Sequence, residues 1–231
     1  MNIVITGASR GIGKETALVL ARSRENHILA ISRTESSLLK LSGTSEFNNI
    51  SYIATDLNKS LQSPESFLKQ LDSHFTGIDI LINNAGILIN KPVTELSNSE
   101  IRLMTETHFL SPLLLIKELF SRFHRGSHIV NISSMGGFQG SSRYPGMAVY
   151  SASKAALANL TESLATEYEK ESIFFNCLAL GAVQTEMFEE AFPGYRAPVR
   201  ADEMAEFISW FALEGSKFFN GKVLPVSVSN P

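Results

Sequence analysis

The sequence predicts an α/β protein, a single domain built on a doubly wound parallel sheet with helices on both faces. Two observations lead there. Short apolar runs rich in β-branched residues alternate with longer helical stretches, the pattern of parallel strands joined by crossover helices. Most of those runs lack a period-2 alternation, as expected of strands buried on both faces. Right-handed crossovers then favour a doubly wound topology.

In order, strands are expected at residues 2–6 (NIVIT), 28–32 (ILAIS), 50–55 (ISYIAT), 78–83 (IDILIN), 128–133 (HIVNIS), 173–179 (IFFNCLA) and 222–226 (KVLPV). Helices are expected near 12–24, 64–75, 97–124, 150–170 and 201–213, with a short one near 35–42. The strands hand over in turn to TGASRGIG, SRTE, TDL, NNAG, NISS and LGAVQT. Ligands of open α/β sheets sit outside the carboxyl ends of the strands. These segments therefore collect along one edge.

A chain of 231 residues, 44% apolar and 19% charged, can bury one large core. Its net charge of −3 argues against nucleic acid or an anionic membrane surface as a partner. The single cysteine, Cys177, excludes an internal disulfide and fits a reducing, cytoplasmic setting. The start, MNIVITGASRGIG, lacks the pattern of a secretory signal, and no window of about 20 residues is apolar enough to span a bilayer. No repeat, low-complexity segment or linker divides the chain, and nothing in it suggests a metal site.

The glycines of the first segment are Gly7, Gly11 and Gly13. Glycine permits a tight turn and close approach of backbone to a phosphate. The N-terminus of the next helix offers free N–H groups to an anion. Two arginines bear on which dinucleotide binds. Arg10 lies in the loop, and Arg33 follows the second strand, where NAD-type folds carry an acid for the ribose diol. An arginine there suits a 2′-phosphate, so NADP(H) is favoured over NAD(H).

Taken together, the residues resemble the short-chain dehydrogenase/reductase family. The match comprises TGASRGIG at 6–13, NNAG at 83–86, Ser133-Ser134, Tyr150-Ser-Ala-Ser-Lys154, and NCLALGAVQT at 176–185. It runs from the first strand to the last. The resemblance implies a Rossmann-type fold with a seven-stranded sheet, and NAD(P)-dependent carbonyl or alcohol chemistry. It implies cofactor contacts from Thr6, Gly7, Ser9, Arg10, Gly11, Ile12 and Gly13. Asp56 and Leu57 would contact the adenine; the structural alternative for Asp56 is a helix N-cap or turn residue. Asn83, Asn84, Ala85 and Gly86 would lie along the adenosine ribose. Gly181, Val183 and Thr185 would cover and hold the nicotinamide end. A homodimer or homotetramer is also implied.

Two tyrosines compete for a catalytic role in GSSRYPGMAVYSASK, residues 140–154. Tyr150 and Lys154 are spaced i, i+4, and share a helical face. Tyr144 precedes Pro145-Gly146, a turn signal, and belongs to a loop. A free phenol has a pKa near 10, and a nearby ammonium is expected to lower it. Tyr150 is thus the expected proton donor, with Lys154 beside it. By resemblance, Lys154 also binds the nicotinamide ribose. Ser134 is expected to hydrogen-bond the substrate oxygen.

Three departures stand out. The family's helix asparagine aligns with His108, a residue able to titrate near neutrality: either it substitutes in the proton relay, or the relay is altered, or the histidine simply packs. The usual Pro-Gly reads Leu180-Gly181. Ser134 and Tyr150 are 16 apart, against about 13 in typical members, which places extra residues near 141–144. The chain also ends VLPVSVSNP rather than with the common aspartate and paired glycines. The expected function is NADPH-dependent reduction of a small-molecule ketone or aldehyde. The alternatives are an NAD-dependent alcohol dehydrogenase and a catalytically impaired NADP-binding regulatory protein. Substrate choice is expected in segments 136–149 and 186–200, where Phe188, Phe192 and Tyr195 suit an apolar compound and Pro193-Gly194 a short lid.

Overall fold

The computed structural model describes residues 1–228; residues 229–231, the end of the unusual C-terminal segment, lie outside the described residues. In chain order the elements are β1 (Asn2–Thr6), α1 (Gly11–Leu20), β2 (His27–Ser32), α2 (Glu35–Thr44), β3 (Ile50–Ala54), α3 (Leu57–Ser60), α4 (Glu65–Asp72), β4 (Ile78–Asn83), α5 (Asn98–Thr105), α6 (Ser111–Leu119) and β5 (Phe123–Ser134). They continue with α7 (Ala148–Glu167), β6 (Phe174–Leu180), β7 (Val183–Gln184), α8 (Glu186–Ala191), β8 (Val199–Arg200), α9 (Ala201–Glu214) and β9 (Lys222–Val226).

Seven strands form one sheet in the order β3-β2-β1-β4-β5-β6-β9, and every pairing is parallel. The apolar runs explain why both faces are covered. Ile3 and Ile5 of β1 pack with Ala17, Leu20, Ile208 and Phe211 of α1 and α9. Val4, between them, packs on the other face with Leu71, Leu119 and Leu164 of α4, α6 and α7. Each such side chain contributes roughly 1.5–3 kcal/mol on burial. Continuous apolar strands are therefore what this architecture requires. The strand order reverses between β1 and β4, so a crevice opens at their carboxyl ends.

The expected strands are all present, with β5 beginning earlier, at Phe123. The expected continuous helix over 97–124 is instead α5 and α6, joined by a π turn at Glu106–Leu110. Pro112 has no N–H to give the carbonyl of His108, and wider turns arise where the regular ladder fails. A small parallel pair was not foreseen: Val183 of β7 faces Val199 of β8. It closes the base of the segment that carries α8.

Candidate active site

The crevice is a cavity of about 960 Å³ at the carboxyl ends of the strands, at the upper end of the usual range for ligand pockets. Its floor begins with the turn after β1. Gly7 donates its N–H to the Ile31 carbonyl at 2.8 Å and has φ +70°. A Cβ on Gly7 would lie 2.7 Å from Ala85 Cα, and one on Gly13 2.5 Å from the Gly7 carbonyl oxygen. Only glycine lets the loop, α1 and the segment after β4 close up this tightly. No side chain caps the start of α1, and Gly11 and Ile12 of its first turn line the cavity. That leaves a helix N-terminus facing the crevice, as an anion such as a pyrophosphate requires. The residues present therefore fit a dinucleotide.

Most of the expected cofactor residues line this wall: Gly7, Ser9, Arg10, Gly11, Ile12, Arg33, Asp56, Leu57, Asn84, Ala85, Gly86, Gly181, Val183 and Thr185. Thr6, Gly13 and Asn83 are buried behind it. The Thr6 hydroxyl accepts the Asn84 and Ala85 N–H groups, each at 3.0 Å. Asn83 donates to the Asn131 side chain at 2.8 Å. All three shape the wall from within: Thr6 and Asn83 end strands with their side chains turned inward, and Gly13, without a side chain, lets α1 close onto the Gly7 carbonyl. Asp56 lines the cavity and also caps α3, accepting from the Asn58 N–H at 3.1 Å. Arg33 is exposed at the cavity wall. Arg10 reaches across to Glu190 of α8 at 3.2 Å.

The catalytic candidates meet further along the edge. The strand alternation separates the paired serines. Both border the cavity with Tyr150 and Lys154, but Ser133 is buried with its hydroxyl donating to the Lys154 carbonyl at 2.8 Å, while the half-buried Ser134 is bonded to Tyr150. Tyr150 and Lys154 lie on α7 one turn apart. The Tyr150 pKa nevertheless goes the opposite way from the sequence expectation. Burial pushes it up, and its hydrogen bond with Ser134 only partly offsets this. Lys154 Nζ donates instead to the Ile132 carbonyl at 2.7 Å, and burial brings its own pKa down to about 8. Cys177, nearby, is a buried thiol pushed up to about 12 by burial, which leaves it protonated and inert.

His108 is not a cavity residue that titrates near neutrality. It is fully buried, and burial first, then the charge of Lys154, hold its pKa well below the usual histidine range. Its Nε2 accepts the Ile87 N–H at 3.1 Å. Nδ1 then carries the proton and faces Ser153 Oγ at 2.8 Å, and Ser153 donates to the Tyr150 carbonyl at 2.8 Å. The ring of Tyr150 meets that of His108 edge-on, with centroids 5.2 Å apart. His108 thus ties the segment after β4 to the first turn of α7.

Three residues of the site were missed in the sequence. Ser153 was passed over because its partner lies 45 residues away. Asn90 donates to the Ala191 carbonyl at 3.3 Å, and the adjacent Lys91 N–H donates to the Gly146 carbonyl at 3.1 Å. Together they fasten the loop after β4 to α8 and to the loop before α7. Nothing in local spacing marks either contact. Tyr144, in that last loop, is exposed and lines the cavity mouth.

The chain is similar to known proteins along nearly its whole length. The family model described as short chain dehydrogenase matches residues 1–196. The chain is 28% identical to the 3-oxoacyl-(acyl-carrier-protein) reductase of Escherichia coli, over 97% of this chain and 94% of the relative. It is 32% identical to an uncharacterized oxidoreductase of Listeria monocytogenes, over 81% and 76%. Among solved structures, 4-hydroxyisoleucine dehydrogenase complexed with NADH superposes with a TM-score of 0.84 at 26% identity, covering 98% of this chain and 96% of that one.

Proposed function

The chain belongs to the short-chain dehydrogenase/reductase family of oxidoreductases, and from that premise we propose that it is an NADPH-dependent carbonyl reductase with Tyr150 as proton donor. The observation that carries the reading is the convergence of Ser134, Tyr150 and Lys154 on the same cavity as the glycine loop. A reduced nicotinamide, when bound, supplies the hydride. The rest falls to the chain. The Ser134 and Tyr150 hydroxyls donate hydrogen bonds to the carbonyl oxygen. Burial keeps the phenol of Tyr150 protonated, the form a reduction needs at that atom. As negative charge grows on the oxygen, Tyr150 gives up its proton. The Lys154 ammonium, one turn away, favours the phenolate that results.

The preference for NADPH rests on Arg33, exposed at the wall where an acid would otherwise grip a ribose diol. Arg10 is a second candidate for the 2′-phosphate, once released from Glu190. Tyr150→Phe is expected to lower kcat by at least about a hundredfold while leaving NADPH affinity within a few fold. Undiminished turnover would remove Tyr150 from the chemistry. Arg33→Ala is expected to weaken NADPH binding by about tenfold and leave NADH binding unchanged. Tighter binding of NADH by the wild type would instead favour the NAD-dependent dehydrogenase reading, which the NADH-bound 4-hydroxyisoleucine dehydrogenase supports.

A further inference from the structure

The wall beyond the two hydroxyls has a chemistry of its own. β2 and β5 are separated by β1 and β4, so Arg33 and Ser134 stand three strand spacings apart, about 14 Å. The cavity's charged side chains are Arg10, Arg33, Asp56, Lys154 and Glu186 among the described residues. Arg33 and Asp56 belong to the β2–β3 end. Arg10 and Glu186 stand by the glycine loop: Arg10 pairs with Glu190, and a Cβ on Gly11 would lie 3.6 Å from the Glu186 carboxylate. Lys154 is turned onto the Ile132 carbonyl. At the β5–β6 end the wall is built instead from Leu88, Tyr144, Met147, Phe188, Phe192 and Tyr195.

These six side chains come from three segments: the loop after β4, the loop before α7, and α8 with its following turn. Asn90 and Lys91 fasten the three together. Phe188 and Phe192 lie against each other, with ring centroids 5.2 Å apart. A pocket of this kind rewards apolar contact area. Ser134 and Tyr150 are the hydroxyls that stand beside Lys154 and can orient one carbonyl oxygen, while Ser151 and the phenols of Tyr144 and Tyr195 add neutral polar groups but no charge. A carboxylate placed in it would give up part of its water and find Lys154 already engaged by the Ile132 carbonyl and Arg10 by Glu190.

We propose that the site selects an uncharged apolar carbonyl compound, with aryl ketones and aldehydes as the favoured class, and discriminates against keto acids. The inference rests on the reductase reading above. The test is a set that varies the charge far from the reacting carbonyl, methyl 4-acetylbenzoate and 4-acetylbenzoate, with 4-acetylbenzamide as the neutral compound of the acid's size, each with NADPH. The two neutral compounds are expected to have a kcat/KM at least tenfold higher than the acid. Calorimetric titration of these compounds into protein with NADP⁺, where no reduction can occur, is expected to show the same order of affinity. Phe192→Arg should narrow the ratio by improving the acid. Equal or better turnover of the acid would overturn the inference and leave the reductase reading standing. So would reduction of charged or sugar carbonyls with no reduction of the ester. Absence of turnover with every carbonyl tried, although NADPH binds, would overturn the reductase reading itself.

Discussion

Replacing His108 by Leu separates a tether from a titrating catalytic group. Leucine fills similar space but can neither accept nor donate a hydrogen bond. The Ile87 N–H loses its acceptor at 3.1 Å, and a stranded, partly buried donor costs about 1–3 kcal/mol. Ser153 keeps its bond to the Tyr150 carbonyl but loses the one from Nδ1, worth about 1 kcal/mol. The expected loss near neutral pH is therefore about 2–4 kcal/mol, read as a lower urea midpoint at unchanged slope. The pH dependence gives an independent check. Folding depresses the His108 pKa below its unfolded value of 6.5. Above that pH neither state is protonated, so the group adds no pH dependence. Below it the unfolded chain takes up a proton that the folded one refuses, and stability falls. His108→Leu removes this contribution, so the gap between variant and wild type should narrow from pH 7 to pH 5. A destabilisation under about 0.5 kcal/mol would refute the tether. So would a limb near pH 6–7 in the wild-type rate profile that vanishes in the variant.

Two further outcomes follow from the packing. Gly13→Ala would place a Cβ 2.4 Å from Asn84 Nδ2 and 2.5 Å from the Gly7 carbonyl oxygen; a loss of about 1–3 kcal/mol is expected, with weaker dinucleotide binding by fluorescence titration, and unchanged affinity would contradict it. His128 is buried between the Ala212 carbonyl and Asn176, and burial takes its pKa from 6.5 to about 4. Its contribution to stability should accordingly drop by roughly 3 kcal/mol as pH falls from 6.5 to 4. His128→Gln should flatten that part of the acid unfolding curve, and an equally steep curve would show that other groups dominate.

The sequence by itself determined the sheet, because strands buried on both faces must be continuously apolar and their runs are short and separate. It also determined the glycine loop and the Tyr150–Lys154 pairing, since both depend on spacing within a few residues. It placed Ser134 correctly on its strand. What it left open depends on partners distant along the chain. The break between α5 and α6 follows from Pro112, yet only the packed structure shows His108 seated there with Ile87 and Ser153 on either side. The inward turn of Thr6 and Asn83, and the close seating of Gly13 against the Gly7 carbonyl, were decided by packing between β1, β4 and α1. The protonation state of Tyr150 was decided by the packing of α7 on β5: the i, i+4 spacing brings Lys154 close, but the Ile132 carbonyl engages its ammonium and burial governs the phenol. The apolar end of the cavity is assembled from three separate segments fastened at Asn90 and Lys91. No local pattern encodes that closure, because each hydrogen bond joins residues more than fifty positions apart.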